Sequence, residues 1–111
     1  MDWQERKVLI TGAGGFIGSH LTEHLAQQGA QIRAFVRYNS RGDVGLLTMI
    51  PEQIYAGLEV LAGDLRDMEA VRRPMEGVDT VFHLGALISI PYSYLRPREV
   101  VETNILGTLN V

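Results

Sequence analysis

The stretch best suited to chemistry is the glycine-rich run TGAGGFIG at residues 11–18, which directly follows a short apolar segment. A dinucleotide pyrophosphate needs a tight turn, backbone close enough to donate N–H groups, and a helix N-terminus facing the negative charge. Gly12 can make the turn, Gly15 leaves room for the phosphates, and Gly18 lets the helix pack closely on the sheet. The run therefore predicts a dinucleotide-binding turn; the alternative interpretation is a glycine-rich turn that binds no ligand.

The spacing of these glycines separates related phosphate-binding loops. The pattern Gly12-x-x-Gly15-x-x-Gly18 is satisfied, whereas the G-x-G-x-x-G form would need a glycine where Ile17 stands. A P-loop is excluded because no Gly-Lys-Ser or Gly-Lys-Thr follows the run. The spacing therefore favours a dinucleotide over a nucleoside triphosphate as the ligand.

Discrimination between NAD and NADP is expected where the second predicted strand ends, in the sequence VRYNSRGD at residues 36–43. An acid at this point binds the ribose 2′-hydroxyl of NAD, whereas an arginine accepts the 2′-phosphate of NADP. No acid occurs before Asp43. Four residues could surround a 2′-phosphate: Arg37, Asn39, Ser40 and Arg41. They favour NADP, but the arginines could instead be solvated, or Arg37 could stack on adenine, so both cofactors stay open.

Four short apolar runs predict the strands that must position these loops, at residues 7–11, 32–36, 58–62 and 80–84. Because helical patterns separate them, the strands should form a parallel sheet with right-handed crossovers and helices on both faces. Strands covered on both faces should be apolar throughout, as VLI and TVF are. The predicted fold class is α/β, a Rossmann-type sheet of about four strands in the order 3-2-1-4.

Helical periodicity predicts the elements that follow the first two strands. The helix after the glycine run should end at Gly29. Its buried side should be formed by Ile17, Leu21, Leu25 and Ala26. A short helix is predicted over residues 44–50, stopped by Pro51.

Two further helices are predicted towards the end of the sequence. One spans residues 67–76, with Asp67 as its cap, and Pro74 should end or kink it early. Its apolar face should consist of Met68, Val71 and Met75. The last helix begins near Pro97. One side of it is lined by Val100, Val101, Asn104, Ile105, Thr108 and Leu109.

Composition excludes several classes of function. The 111 residues have a formal net charge of -3 and no cysteine, so disulfides, thiolate zinc sites and cysteine nucleophiles are excluded. The acidic balance argues against nucleic-acid binding, and no apolar run approaches the ~20 residues of a membrane helix. The polar N-terminus resembles no signal peptide. We expect a cytoplasmic domain without a membrane partner or metal, in which His20, His24 and His83 are not zinc ligands.

Four motifs occur in order along nearly the whole chain: TGAGGFIGSHL at 11–21, GDLRD at 63–67, VFHLGA at 81–86 and ETNILGTLN at 102–110. Together they resemble the extended short-chain dehydrogenase/reductases, the family of NAD-dependent epimerases and dehydratases that modify nucleotide sugars. The loops VRYNSRGDVGLL and ALISIPYSYLRP are most similar to those of NAD-dependent nucleotide-sugar 4,6-dehydratases.

The resemblance implies roles for individual residues. The resemblance adds further residues to the cofactor site already predicted. The complete set is Gly12, Gly15, Phe16, Ile17, Gly18, Arg37, Asn39, Ser40, Arg41, Asp64, Leu65, Leu84, Gly85, Ala86 and Asn104. In the family, an acid such as Asp64 contacts adenine, and the VFHLGA segment passes under the cofactor. Gly85 stands where alanine is usual, which we expect to be tolerated. Ser89 would touch the sugar and Asn104 would support the active site; a plain surface or packing role is the alternative for both.

The function implied is oxidation of a nucleotide sugar at C4 by hydride transfer to the nicotinamide, in a dehydratase or an epimerase. Family catalysis uses a Tyr-x-x-x-Lys pair, which this sequence lacks, because its only lysine is Lys7 and no tyrosine lies four residues before it. We therefore expect residues 1–111 to be the incomplete N-terminal, NAD(P)-binding Rossmann domain of a longer homodimeric enzyme. The substrate domain would be absent and the chain inactive alone. The alternative is a non-catalytic NAD(P)-binding regulatory module of the same fold.

Overall fold

The computed structural model describes residues 3–37, 44–85 and 95–111. The strands of this part of the chain are β1 (Lys7–Thr11), β2 (Gln31–Arg37), β3 (Glu59–Gly63) and β4 (Thr80–His83). All three pairings are parallel, and the order is β3-β2-β1-β4. The predicted α/β class and the order 3-2-1-4 are confirmed, and each strand end lies within about a residue of its predicted position.

Helices and turns connect the strands. They are α1 (Phe16–Gln27), a 3₁₀ helix (Gly45–Met49), α2 (Glu52–Ala56), α3 (Met68–Met75), α4 (Pro97–Val101), a π-helical turn (Glu102–Leu106) and α5 (Gly107–Asn110). The last three run on without a break. Within the described ranges, no helix combines the length and the apolar character needed to cross a membrane.

The core lies on both faces of the sheet because side chains alternate along β1 and β2. One face carries Val8, Ile10, Ala34 and Val36, packed with Leu25 of α1 and Leu47 of the 3₁₀ helix. The opposite face carries Leu9 and Phe35, packed with Leu65 and Val71. β1 is therefore buried from Val8 to Thr11, as predicted for a strand covered on both sides.

The predicted buried stripe of α1 is wrong at Ile17, which is 70% exposed. Leu25 is buried as predicted, and Leu21 and Ala26 are partly buried. The residues of α1 that are buried are Gly18, Ser19, Thr22 and Leu25. The first turn of α1 follows the carboxyl end of β1. Ile17 therefore lies beyond the part of the sheet that the rest of the helix covers. Gly29, at φ +91°, ends the helix as predicted.

The helix after β3 follows its predicted bounds closely. The Asp67 side chain accepts hydrogen bonds from the backbone N–H groups of Glu69 and Ala70, at 3.0 and 3.4 Å, which confirms the cap. Val71 is buried and Met75 partly buried, but Met68 is 51% exposed, so the predicted face is wrong at its first member. Pro74 lies in the last turn and the helix ends one residue later.

Two other helical segments agree with the prediction in part. The short helix predicted over residues 44–50 is the 3₁₀ helix Gly45–Met49, which ends before Pro51 as predicted. The sequence did not predict α2, which begins directly after Pro51, the residue at its N-cap. The last helix begins at Pro97 as predicted. Three of the residues predicted to share one side of it are exposed: Val101 at 54%, Ile105 at 62% and Leu109 at 76%. The buried residue of α5 is Gly107, where an added Cβ would lie 2.8 Å from Cβ of Leu65.

Candidate functional site

A cleft of about 730 Å³ opens at the carboxyl ends of the strands. Its floor is built from the ends of β1, β2 and β3 and from the residues after β4. The strand order reverses between β1 and β4, and open α/β sheets bind ligands at such a point. The volume lies in the range of small-molecule sites. Ten predicted cofactor residues line the cleft: Gly12, Gly15, Phe16, Ile17, Gly18, Arg37, Asp64, Leu65, Leu84 and Gly85.

The glycine turn is held so tightly that two of its glycines are required by the fold. Gly12 has φ +68°, and a Cβ there would lie 2.8 Å from the backbone nitrogen of Gly85. A Cβ on Gly18 would lie 2.0 Å from the Gly12 carbonyl oxygen. Gly12 therefore makes the predicted turn. Gly18 lets α1 approach this turn, whereas the sequence predicts close packing of the helix on the sheet.

Gly15 differs from Gly12 and Gly18, the other two glycines of the motif. It is exposed, at φ −80° and ψ 177°, and its Cβ would meet only the Gly12 carbonyl oxygen, at 3.4 Å. A side chain at this position would therefore fit the fold and project into open space. Gly15 is the N-cap of α1, and no side chain of the described residues caps that helix end. The result is a cradle that faces the cleft at the positive end of a helix dipole.

The glycine turn has a second partner that sequence reasoning missed. Gly14 and Gly45 are in close contact, because a Cβ on Gly45 would lie 2.5 Å from the Gly14 carbonyl oxygen. That oxygen accepts a hydrogen bond from the Leu46 N–H at 2.9 Å. The segment after residue 44 therefore closes one wall of the cleft. The only sequence signal was a glycine at position 14 that the G-x-x-G-x-x-G spacing does not require.

The far wall of the cleft carries paired charges. Arg66 contacts the Asp64 carboxylate with Nε at 3.1 and 3.0 Å and with Nη2 at 2.6 Å. This hydrogen bonding holds the pKa of Asp64 below its ordinary value. Arg37 donates from Nη2 to Oε1 of Glu99 at 2.8 Å. Asp64 thus lies where an adenine contact was predicted, but its carboxylate is held by Arg66, and the contact stays a prediction.

A chain of hydrogen bonds ties the floor of the cleft to α5. The Thr11 hydroxyl oxygen accepts from the backbone N–H groups of Leu84 and Gly85, both at 3.0 Å, so its proton points to Nδ1 of His83, at 2.7 Å. Nε2 of His83 then donates to the Thr108 hydroxyl at 3.0 Å. The pattern requires neutral His83 with its proton on Nε2, and burial lowers the pKa of this imidazole accordingly.

Because of His83, the protein should therefore become less stable as the pH is lowered. Its folded pKa lies below the unfolded value of about 6.5, so the unfolded state binds the proton first. We expect the free energy of unfolding to be full above about pH 6.5 and to decrease below it until the folded pKa is passed. Urea titrations at about pH 7.5 and about pH 5.5 measure this, with His83→Gln as the control. Equal pH dependence in the parent and the variant would contradict the assignment.

The remaining predicted residues are placed as follows. Asn104 lies near the end of this chain of bonds, where its backbone carbonyl accepts from the Thr108 hydroxyl at 2.7 Å, and it does not line the cleft. A Cβ on Gly85 would lie 2.6 Å from Cδ1 of Leu65, so the alanine usual in the family would require this leucine to move. Five predicted residues lie outside the described ranges: Asn39, Ser40, Arg41, Ala86 and Ser89.

Comparison with known proteins places these features in a family. A family model described as GDP-mannose 4,6 dehydratase matches residues 9–111. Among curated proteins, the 2-alkyl-3-oxoalkanoate reductase of Stenotrophomonas maltophilia (strain K279a) is 37% identical over 105 residues, 95% of this chain and 28% of that protein. Among solved structures, Pen from Bacillus thuringiensis superposes with a TM-score of 0.84 at 30% identity, covering 100% of this chain and 33% of the other.

A third relative has ligands bound. The UDP-glucose-4-epimerase of Stenotrophomonas maltophila, solved with NAD and formylated UDP-arabinopyranose, superposes with a TM-score of 0.79 at 28% identity. The match covers 96% of this chain and 32% of the epimerase. Since the matched shares of these three proteins are 28%, 33% and 32%, the chain spans a third or less of their length.

Proposed function

This chain belongs to the family of NAD-dependent epimerases and dehydratases described as GDP-mannose 4,6 dehydratase, and we propose that it forms the dinucleotide-binding part of such an enzyme. The whole enzyme would oxidise a nucleotide sugar at C4, and the loop resemblance favours a 4,6-dehydratase over an epimerase. A nucleotide-sugar substrate, a homodimeric assembly and a cytoplasmic location belong to the same proposal. The observation that carries it is Gly15, a glycine that the fold does not need, at a helix N-terminus that faces the cleft.

The described residues fit a nicotinamide dinucleotide. The turn from Gly12 to Gly18 would hold the pyrophosphate, since the backbone N–H groups of the first turn of α1 have no carbonyl partner within the helix. Asp64 and Leu65 would lie along the adenosine, and Leu84 and Gly85 under the cofactor. A bound nicotinamide would supply the hydride acceptor for oxidation of the sugar.

The part played by this chain is binding and positioning. The hydrogen bonds of Thr11 hold the backbone after β4 in place. They therefore fix the positions of Leu84 and Gly85 at the edge of the sheet. Because the sequence lacks Tyr-x-x-x-Lys, the base that removes the C4 hydroxyl proton is not supplied by these residues. We propose that the 111 residues bind cofactor without turning over substrate.

Direct binding tests this function. In calorimetric titrations of the purified protein, we expect NAD and ADP-ribose to bind, and adenosine at least about tenfold more weakly because it lacks the pyrophosphate. Equal affinities for ADP-ribose and adenosine would show that the glycine turn does not hold phosphate. The absence of binding by NAD and NADP alike would overturn the proposal.

A further inference from the structure

The strand-end arginine that favoured NADP in the sequence is paired in the structure. Arg37, the last residue of β2, donates to Glu99 of α4 at 2.8 Å across a separation of 62 residues. The Glu99 side chain is only 22% exposed, whereas that of Arg37 is 62% exposed. Both residues line the cleft. An acid therefore does lie at the end of β2, but it is supplied by a helix distant in sequence.

The charged residues that the structure describes in the cleft lining are equal in number and opposite in sign. Asp64 and Arg66 form the second ion pair of the same wall, at 2.6 Å. The hydrogen bond between Asp64 and Arg66 is the main cause of the lowered pKa of Asp64 and of the raised pKa of Arg66. Arg37 adds to the first shift and Glu99 to the second, so the two pairs influence each other. Among the described residues that line the cleft, this wall presents two guanidinium groups and two carboxylates. A 2′-phosphate adds about two negative charges at physiological pH, and these four groups together give it no net attraction.

We propose that Glu99 is a specificity-determining residue, which holds Arg37 in an ion pair and makes the protein prefer NAD to NADP. This inference rests on the proposed function, because it assumes that the adenosine lies along this wall. To bind a 2′-phosphate, Arg37 would have to leave a half-shielded carboxylate, which would then lie close to the phosphate and repel it. NAD carries no 2′-phosphate and leaves the pair intact.

The test measures the ratio of the dissociation constants of NADP and NAD, using the full protein that the gene encodes. We expect Glu99→Gln to release Arg37 and shift this ratio towards NADP by about tenfold, which equals about 1.4 kcal/mol. The matched control is Glu52→Gln, which makes the same charge change at an exposed residue in the first turn of α2, outside the cleft lining. We expect this control to shift the ratio by less than about twofold.

A third variant isolates the pair. In an Arg37→Met background, Glu99→Gln should no longer move the ratio, because the guanidinium that it would release is gone. An unchanged ratio in the single Glu99→Gln variant overturns the inference, and so does a parent protein that prefers NADP. An equal shift from Glu52→Gln would assign the effect to net charge and also overturn it. If the parent binds neither cofactor, the proposed function fails instead.

Discussion

Replacing Gly15 by leucine is expected to abolish dinucleotide binding while leaving the protein folded. A Cβ at this position meets only one atom within 4 Å, the Gly12 carbonyl oxygen at 3.4 Å, and the φ of −80° suits any residue. The side chain would therefore leave the fold intact and project over the N-terminus of α1, where the pyrophosphate should lie. Because leucine carries no charge, loss of binding would report the filled volume alone. We expect at least a hundredfold weaker binding, about 2.7 kcal/mol.

A graded series makes this expectation sharper. Gly15→Ala adds a single carbon and should weaken NAD binding less than leucine does, since a methyl group fills less of the cradle. Thermal unfolding of both variants, followed alongside calorimetric titration, should show midpoints close to that of the parent. If Gly15→Leu binds NAD with parental affinity, the cofactor does not lie on the glycine turn. If the variant unfolds, Gly15 is required by the fold.

The strands could be predicted because their signal is local. Each strand is a short β-branched or apolar run bounded by turn residues, and the alternation with helices leaves few possible connections. The glycine turn was predictable for the same reason, since Gly12, Gly15 and Gly18 lie within one short segment. The backbone conformation of a turn depends mainly on its own residues.

The buried faces of the helices were less predictable. Periodicity shows that a helix has an apolar side, but it does not show where the sheet beneath it ends. Ile17 belongs to the apolar side of α1 and still lies over the open cleft, 70% exposed. In the last helix, Val101, Ile105 and Leu109 share one side by spacing and are exposed, while the close contact with the rest of the protein is made at Gly107.

The charge pairing of the site could not be read from the sequence at all. Arg37 and Glu99 are 62 residues apart, and Thr11 lies 72 residues from His83. Such contacts exist only after β1 has paired with β2 and β4 and the last helix has packed beside the cleft. The sequence therefore showed an arginine without an acid, and it left both NAD and NADP open.

The largest effect on folding is expected at Gly18, whose replacement by alanine should destabilise the protein by about 3 kcal/mol or more. Alanine is the better helix former by about 1 kcal/mol, so helix propensity alone predicts the opposite sign. Packing outweighs it, because the new Cβ would lie 2.0 Å from the Gly12 carbonyl oxygen and 2.9 Å from Cα of Ala13. These are backbone atoms that no rotamer change can move, so α1 would have to shift away from the turn.

Urea unfolding measures this effect, and Gly15→Ala in the same helix end is the matched control, with an expected change below about 1 kcal/mol. A Gly18→Ala protein as stable as the parent would mean that α1 can move at little cost, and the turn would then be too loosely held to preorganise a phosphate site. A large loss at Gly18 together with a small one at Gly15 would separate the two glycines by role. Gly18 would hold the helix against the turn, and Gly15 would keep the space that this contact creates open for a ligand.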